Sequence, residues 1–124
     1  MKAEFVQPQE KDEFWMPENC WILESWNRPS DPAVSIARAR VGKGHSTRAH
    51  SLSDTIERYL IIEGEAIVHI EGVEEQKAHP GDVIFIPPNA VQWVDNSNGP
   101  TDFVFYAICT PRFRPEMYCD RELE

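Results

Sequence analysis

The sequence has 124 residues, with 12 lysines and arginines against 21 aspartates and glutamates, which gives a formal net charge of −9. This length suits one domain with one core. The acidic balance argues against nucleic acid and against an anionic membrane surface, because both require a basic face. No apolar window is long enough for a transmembrane helix, and the charged, proline-containing start is unlike a secretory signal, so we expect a cytoplasmic protein. Three cysteines without a C-x-x-C spacing favour reduced thiols over a disulfide framework.

Residues 1–32 are predicted to form an N-terminal arm. The first 19 or so residues are polar and contain Pro8 and Pro17, whereas Cys20 to Trp26 has the composition of a strand. Three tryptophans lie between Trp15 and Trp26, which is unusual for a free tail. We therefore expect the arm to pack across a sheet, either of its own barrel or of a partner subunit.

Residues 33–110 contain short strand-like runs separated by turn signals. The predicted strands are 33–41, 57–62, 66–70, 73–78, 83–86, 91–94 and 103–109. The run 83–86 is wholly apolar, which predicts a strand buried on both faces, and the very apolar run 103–109 predicts a central strand. Many short strands with almost no helix predict a β-sandwich or a closed barrel, and a small barrel can hold one ligand.

Residues 111–124 are predicted to be a short C-terminal tail. This segment is rich in proline and charge, so we expect it not to continue the sheet, although it could end in a short helical turn. The predicted organisation is thus an arm over 1–32, a barrel over 33–110 and a tail over 111–124.

Seven residues fall at fixed spacings in two stretches of the barrel: Gly44, His50, Glu57, Gly64, Gly81, Pro87 and Asn96. Their spacing resembles the two motifs of the cupin superfamily, G-x5-H-x-H-x3–4-E-x6-G and G-x5-P-x-G-x2-H-x3-N. The resemblance covers residues 33–110, nearly the whole folded part of the chain. It implies an all-β fold, a double-stranded β-helix or jelly-roll barrel, which is commonly a homodimer.

The sequence departs from these motifs where the family has metal-binding histidines. Leu52 occupies the position of one such histidine in the motif, and Gln92 occupies the position of another. The resemblance therefore implies a metal site with fewer protein ligands, His50, Glu57 and Gln92, and with open positions for water or substrate. A carboxamide oxygen is a weak ligand. The sequence leaves open whether zinc, iron, manganese, nickel or no metal is bound.

His50 and Glu57 are the candidate catalytic residues. Without a metal, they and Gln92 would form a hydrogen-bonded cluster that orients a ligand or acts as an acid/base pair. Tyr59 has the same strand parity as Glu57, so it is predicted to face the pocket, and Arg48 flanks the constellation. Both are candidates for binding a cofactor or ligand.

Several arginines raise the alternative of an anionic ligand, because guanidinium groups favour carboxylates and phosphates. They are Arg38, Arg40, Arg48 and Arg58. The alternative reading is that these side chains are exposed charges that pair with a very acidic chain.

Two functions fit these observations. The first is a small metal-dependent or acid/base enzyme that acts on a sugar, keto acid or aromatic metabolite, as an isomerase, cyclase or dioxygenase. The second is a metal-free barrel with a degenerate metal site that binds a small molecule without catalysis. A purely structural dimer is a third option. The expected partners are a small-molecule ligand and a second copy of the chain.

Overall fold

The structure, a computed structural model, describes residues 1–122 and consists of two antiparallel β-sheets. In that range the strands are β1 Phe14–Met16, β2 Cys20–Trp26, β3 Ser35–Val41, β4 His50–Leu52, β5 Ile56–Glu63, β6 Ala66–Ile70, β7 Val73–Ala78, β8 Val83–Ile86, β9 Gln92–Asp95, β10 Phe103–Thr110 and β11 Tyr118–Asp120. The helical segments of the same range are two single 3-10 turns, Glu10–Asp12 and Pro115–Met117. Neither turn has the length or the apolar character required to cross a bilayer.

The two sheets are interleaved along the chain. One has the strand order β1-β2-β3-β10-β5-β8 and the other the order β11-β4-β9-β6-β7. From β3 to β10 the chain passes repeatedly from one sheet to the other, which is the wrapping of a double-stranded β-helix. The predicted all-β jelly-roll barrel is therefore confirmed, and β10 is the central strand that its apolar sequence predicted, with β3 and β5 on either side.

The core lies between the inner faces of the two sheets. Because side chains alternate along a strand, every second residue points inward. Val41, Ile61, Ile86, Val94 and Phe103 are each at most 1% exposed. Full burial of an apolar side chain of this size contributes about 1.5–3 kcal/mol relative to exposure. These inward residues hold the two sheets together and fix the register on which the site depends.

Strand β8 corrects one expectation, because it is not buried on both faces. It lies at an edge of the six-stranded sheet and pairs with β5. Val83 and Phe85 are 66% and 58% exposed, while Ile86 is 1% exposed. The apolar run predicted burial, but no layer of residues 1–122 covers the outer face of this sheet at β8.

The C-terminal tail corrects a second expectation. After the 3-10 turn Pro115–Met117, the chain forms β11 and extends the five-stranded sheet by pairing with β4. The last proline is Pro115, so the three residues of Tyr118–Asp120 can all adopt extended backbone and donate hydrogen bonds. The overall composition of the segment hides this short proline-free stretch.

The N-terminal arm packs on its own barrel. β2 pairs with β3, and β1 pairs with β2, so the arm forms one edge of the six-stranded sheet. Arg40 holds the segment that precedes β1, because its Nη2 donates a hydrogen bond of 2.6 Å to Glu13 Oε1. The same guanidinium is 3.2 Å from Asp102 Oδ2. These contacts place the chain that follows β1 beside the mouth of the barrel.

Asn96 ties together the loops that follow β3 and β9 at one end of the barrel. Its side chain is fully buried, and Nδ2 lies 3.0–3.2 Å from the carbonyl oxygens of Val41, Gly42 and Thr101.

Substituting Asn96 with alanine would leave these carbonyls without their donor in a site that water does not reach. We expect Asn96→Ala to lower the free energy of unfolding by about 2–4 kcal/mol, measured by urea denaturation. The matched variant Asn98→Ala, at an exposed position, should change it by less than about 0.5 kcal/mol; equal effects would contradict this role for Asn96.

Candidate functional site

A cavity of about 530 Å³ opens between the two sheets and is bordered by both terminal segments. This volume is in the range of small-molecule sites. Most of its lining is apolar, with a few polar side chains, which are Glu18, Glu24, Asn27, Ser35, His50, Glu57 and Arg112. A mostly apolar enclosure with few polar groups is suited to a small organic ligand that those groups orient.

His50 begins β4 and is 5% exposed. Its Nδ1 lies 2.8 Å from the carbonyl oxygen of Arg48, which can only accept, so Nδ1 carries a proton. Its Nε2 lies 3.2 Å from Glu18 Oε2. A proton on Nε2 would make this contact an ion pair, whereas a neutral imidazole would present a lone pair to the carboxylate. His50 and Glu18 therefore form a pair of interacting side chains at the cavity wall.

The aromatic ring of Tyr118 covers the other side of His50. The two ring centroids are 5.3 Å apart and the planes are inclined by 17°, a stacked arrangement. Tyr118 belongs to β11 and Glu18 to the turn between β1 and β2. The position of the imidazole is thus set by both terminal segments as well as by its own strand.

Glu57 lies on β5, is 8% exposed and lines the same cavity. One carboxylate oxygen, Oε1, accepts a hydrogen bond of 2.8 Å from Gln92 Nε2. Burial raises the pKa of Glu57 from its ordinary value of 4.5 to about 7, although the Gln92 bond and the nearby His50 favour the charged form. A carboxyl group with this pKa can both hold and release a proton at neutral pH.

Gln92 and Tyr59 lie beneath Glu57 in the barrel interior. Gln92 is 1% exposed and Tyr59 is 3% exposed. The Tyr59 hydroxyl donates to Gln92 Oε1, and Gln92 in turn donates to Glu57. Burial also raises the pKa of Tyr59 well above its ordinary value, so the phenol stays a donor. Of the predicted metal ligands, His50 and Gln92 are directly paired across β4 and β9, so the structure brings His50, Glu57 and Gln92 together.

The predicted arginines do not line the cavity. The Arg48 guanidinium binds Asp120 on β11, with N–O distances of 3.1 and 3.2 Å, while its backbone carbonyl orients His50. Arg38 and Arg40 contact Glu13. Most of these charges therefore hold the terminal segments: they pair with acidic residues as the alternative reading expected, but they are half-buried and not exposed. Tyr59 faces inward as predicted but lies behind Glu57 and does not contact the cavity.

Sequence reasoning missed Glu18, Tyr118 and Arg112. All lie outside the repeating strands, in segments whose composition predicted an arm and a tail. The one usable signal was the group of tryptophans, which indicated that the arm packs on a sheet. It did not indicate which arm residue would reach the cavity.

Comparison with known proteins identifies the family. The family model described as "Cupin domain" matches residues 37–109, more than half of the chain. The chain belongs to the cupin family. No curated protein matches this cupin at the sequence level.

Solved structures share the cupin fold across most of the chain. KdgF from Halomonas sp. aligns with a TM-score of 0.75 at 17% identity, covering 92% of this chain and 99% of that one. A predicted oxalate decarboxylase from Thermotoga maritima also gives a TM-score of 0.75, at 22% identity, covering 87% and 99%. A variant of Streptomyces Pac13 with uridine gives a TM-score of 0.74 at 14% identity, covering 95% of this chain and 91% of that one. Pac13 is a nucleoside dehydratase. At these identities the likeness shows the fold.

The donor set of this cupin does not fit a resident metal ion. Gln92 directs its NH2 group, which cannot bind a metal, at Glu57, and one lone pair of its carbonyl oxygen is already used by the Tyr59 hydroxyl. His50 Nε2 faces Glu18. Among residues 1–122, no three histidine, cysteine, aspartate or glutamate side chains gather as an ion would need. The groups that this site offers for chemistry are therefore its proton-carrying side chains.

The raised pKa of Glu57 predicts a pH-dependent contribution to stability. Since the folded pKa of about 7 exceeds the ordinary 4.5, the contribution is fully present below pH 4.5 and is lost as the pH rises through 7. Glu57→Gln keeps the shape and cannot titrate. The stability of the native protein relative to Glu57→Gln should fall by on the order of 3 kcal/mol between about pH 4.5 and 8, measured by urea unfolding. His50 and Glu18 are present in both proteins, so parallel stability curves would contradict the raised pKa.

Proposed function

We propose that this cupin binds a small metabolite in its cavity and catalyses a metal-free proton transfer, with His50 and Glu57 as the acid/base pair. The observation that carries the proposal is that two proton-exchanging groups line one cavity: the His50–Glu18 pair, and Glu57 with a pKa near 7. In many enzymes, two neighbouring titratable groups lie in different environments, so that one acts as the acid and the other as the base.

The geometry supports a proposed role for each residue. His50 is oriented by its Nδ1 proton on the Arg48 carbonyl, which leaves Nε2 as the atom that takes or returns a proton. Gln92 holds one oxygen of Glu57, and no hydrogen bond within residues 1–122 occupies the other, Oε2. The reaction class is removal of a proton from a carbon next to a carbonyl, followed by its return elsewhere or by loss of a hydroxyl group that Glu57 protonates to water. Isomerisation and dehydration are the two outcomes.

A sugar, a keto acid or an aromatic metabolite would fill the cavity. Its largely apolar lining would pack against the carbon skeleton, while His50, Glu18 and Glu57 would contact the reacting carbon and its oxygens. The dehydratase described among the structural neighbours supports the reaction class by analogy of fold alone. We do not propose dioxygenase chemistry, because the amide that would complete a metal site is held by Tyr59 and Glu57.

Ligand binding without catalysis is the second candidate. It is favoured by the contact between His50 Nε2 and Glu18, because this contact already uses the atom that would act as the base. In that case the cavity would bind a metabolite, and the polar cluster would only orient it.

Proton exchange with solvent distinguishes catalysis of proton transfer from ligand binding without catalysis. A panel of sugar acids, neutral sugars and 2-keto acids is incubated with the protein in D2O, and replacement of C–H by C–D is followed by proton NMR. We expect exchange in at least one class, slowed at least 100-fold by His50→Gln and by Glu57→Gln, and unchanged by a chelator. His79→Gln, an exposed histidine in a turn, is the matched control. Binding without any exchange would establish the second candidate, and loss of exchange on chelation would overturn the metal-free mechanism.

A homodimer is proposed to form through strand β8. This strand has one hydrogen-bonded neighbour, β5, and exposes Val83 and Phe85. Open strand edges with apolar side chains favour pairing with another strand, and a two-fold axis would pair the same edge of two copies. Light scattering during size-exclusion chromatography should give twice the monomer mass, and Phe85→Lys should give a monomer. A native protein that is monomeric at every concentration would exclude this interface.

A cytoplasmic location without nucleic acid or membrane partners remains part of the proposal. The net charge of −9 supports the absence of such polyanionic partners. Cys20, Cys109 and Cys119 are all free thiols. Cell fractionation checks the location.

A further inference from the structure

We propose that Arg112 binds an anionic group of the ligand, a carboxylate or a phosphate, so that the substrate of this cupin is a small organic acid or phosphate ester. The proposal deepens the proposed function, on which it depends for the statement that the occupant of the cavity is a substrate. The binding of the anion itself does not depend on catalysis.

Arg112 is a cation at the cavity wall without a carboxylate partner in residues 1–122. It lines the cavity and is half-buried. Other arginines of the chain form ion pairs, namely Arg28, Arg38, Arg40, Arg48 and Arg114. In such an acidic chain, a cavity arginine that forms no ion pair with an acidic side chain of residues 1–122 has charge available for a ligand.

The guanidinium is fixed in place without being neutralised. Its Nη1 donates to Asn27 Oδ1 at 2.9 Å. Asn27 is in turn fixed, because its Nδ2 is 2.8 Å from Glu24 Oε2 and 2.9 Å from the Phe113 carbonyl oxygen. A neutral amide thus separates Arg112 from Glu24, and no hydrogen bond within residues 1–122 occupies Nη2 or Nε. Two free donors in one plane match the two oxygens of a carboxylate or phosphate.

The register of the sheet places this cation within reach of the acid/base groups. Glu57 on β5 is the Cα partner of Cys109 on β10, and Arg112 follows Cys109 by three residues. Three residues of extended chain span at most about 10 Å. A ligand held by its anionic group on Arg112 can therefore present its reactive carbon to His50 and Glu57 if its skeleton has the length of a small sugar acid or sugar phosphate.

The wall between these polar groups is apolar, with Ile36 and Ala107 among its side chains. Such a wall contributes little orientation by itself. A charge-assisted contact at Arg112 would fix which end of the ligand points toward Glu57. The carboxylate of Glu18, which lies beside His50, would disfavour the opposite orientation, in which the anion faces the acid/base groups.

Matched ligands test this inference by thermal unfolding. The probes are glucose, glucuronate and glucose 6-phosphate, with pyruvate and inorganic phosphate as smaller anions, each titrated at constant ionic strength. We expect a saturable rise in Tm with at least one anion and none with glucose. Arg112→Gln, which keeps a donor for Asn27, should weaken the apparent affinity by about 10- to 100-fold. Arg114→Gln removes the same charge two residues away, at a side chain that pairs with Glu116 outside the cavity, and should leave the affinity unchanged.

The outcomes separate the ligand classes and the two proposals. A response to glucuronate or pyruvate alone assigns a carboxylate, and a response to the phosphates alone assigns a phosphate. A saturable response to none of the anions overturns the inference, as does equal binding by Arg112→Gln or an equal loss in Arg114→Gln. The same titration on Glu57→Gln keeps the questions distinct: anion binding there, together with absent proton exchange in the native protein, leaves Arg112 as a binding site and removes the catalytic proposal.

Discussion

The hydrogen bond between Gln92 and Glu57 connects the two sheets through the interior of the barrel. Gln92 belongs to β9 in the five-stranded sheet, and Glu57 belongs to β5 in the six-stranded sheet. Burying a carboxyl group is costly unless it is neutral or hydrogen-bonded. Here the amide supplies one bond and Tyr59 fixes the amide from behind. The polar interior is satisfied by this chain of donors, which is why the cavity can hold a carboxyl group that exchanges its proton near neutral pH.

The second constraint is that the cavity is completed by the ends of the chain. Glu18 follows β1 and Tyr118 begins β11, and the two side chains contact His50 from different directions. The ion pairs of Arg40 with Glu13 and of Arg48 with Asp120 hold the same two segments against the barrel. Surface ion pairs contribute little stability on average. Here their effect is on position, because each lies a few residues from a side chain that touches His50.

The sequence predicted the barrel and its inward residues because both depend on local rules. Parity along β5 places Glu57, Tyr59 and Ile61 on one face, and the turn spacing brings β4 and β9 together at His50 and Gln92. The partners of His50 could not be predicted in this way. Glu18 is 32 residues away in sequence, in a segment without periodicity, and its contact depends on how the arm crosses the sheet. The errors at β8 and β11 have a related cause, since burial and edge pairing are decided by neighbours that the local sequence does not specify.

In the proposed metal-free mechanism, the cavity balances its charge without the divalent cation that the family motif can hold. Its acidic side chains are Glu18, Glu24 and Glu57, and its basic ones are His50 and Arg112. The basic side chains and a proton on Glu57 would then do part of what a metal cation does. An anion bound near Glu57 would favour the protonated carboxyl further, because a like charge disfavours the ionised form. By reciprocity, the protonated carboxyl would favour the anion. Under the proposed function, ligand binding and the acid form of Glu57 would in this way be coupled, so that Glu57 would carry a proton when the substrate is bound.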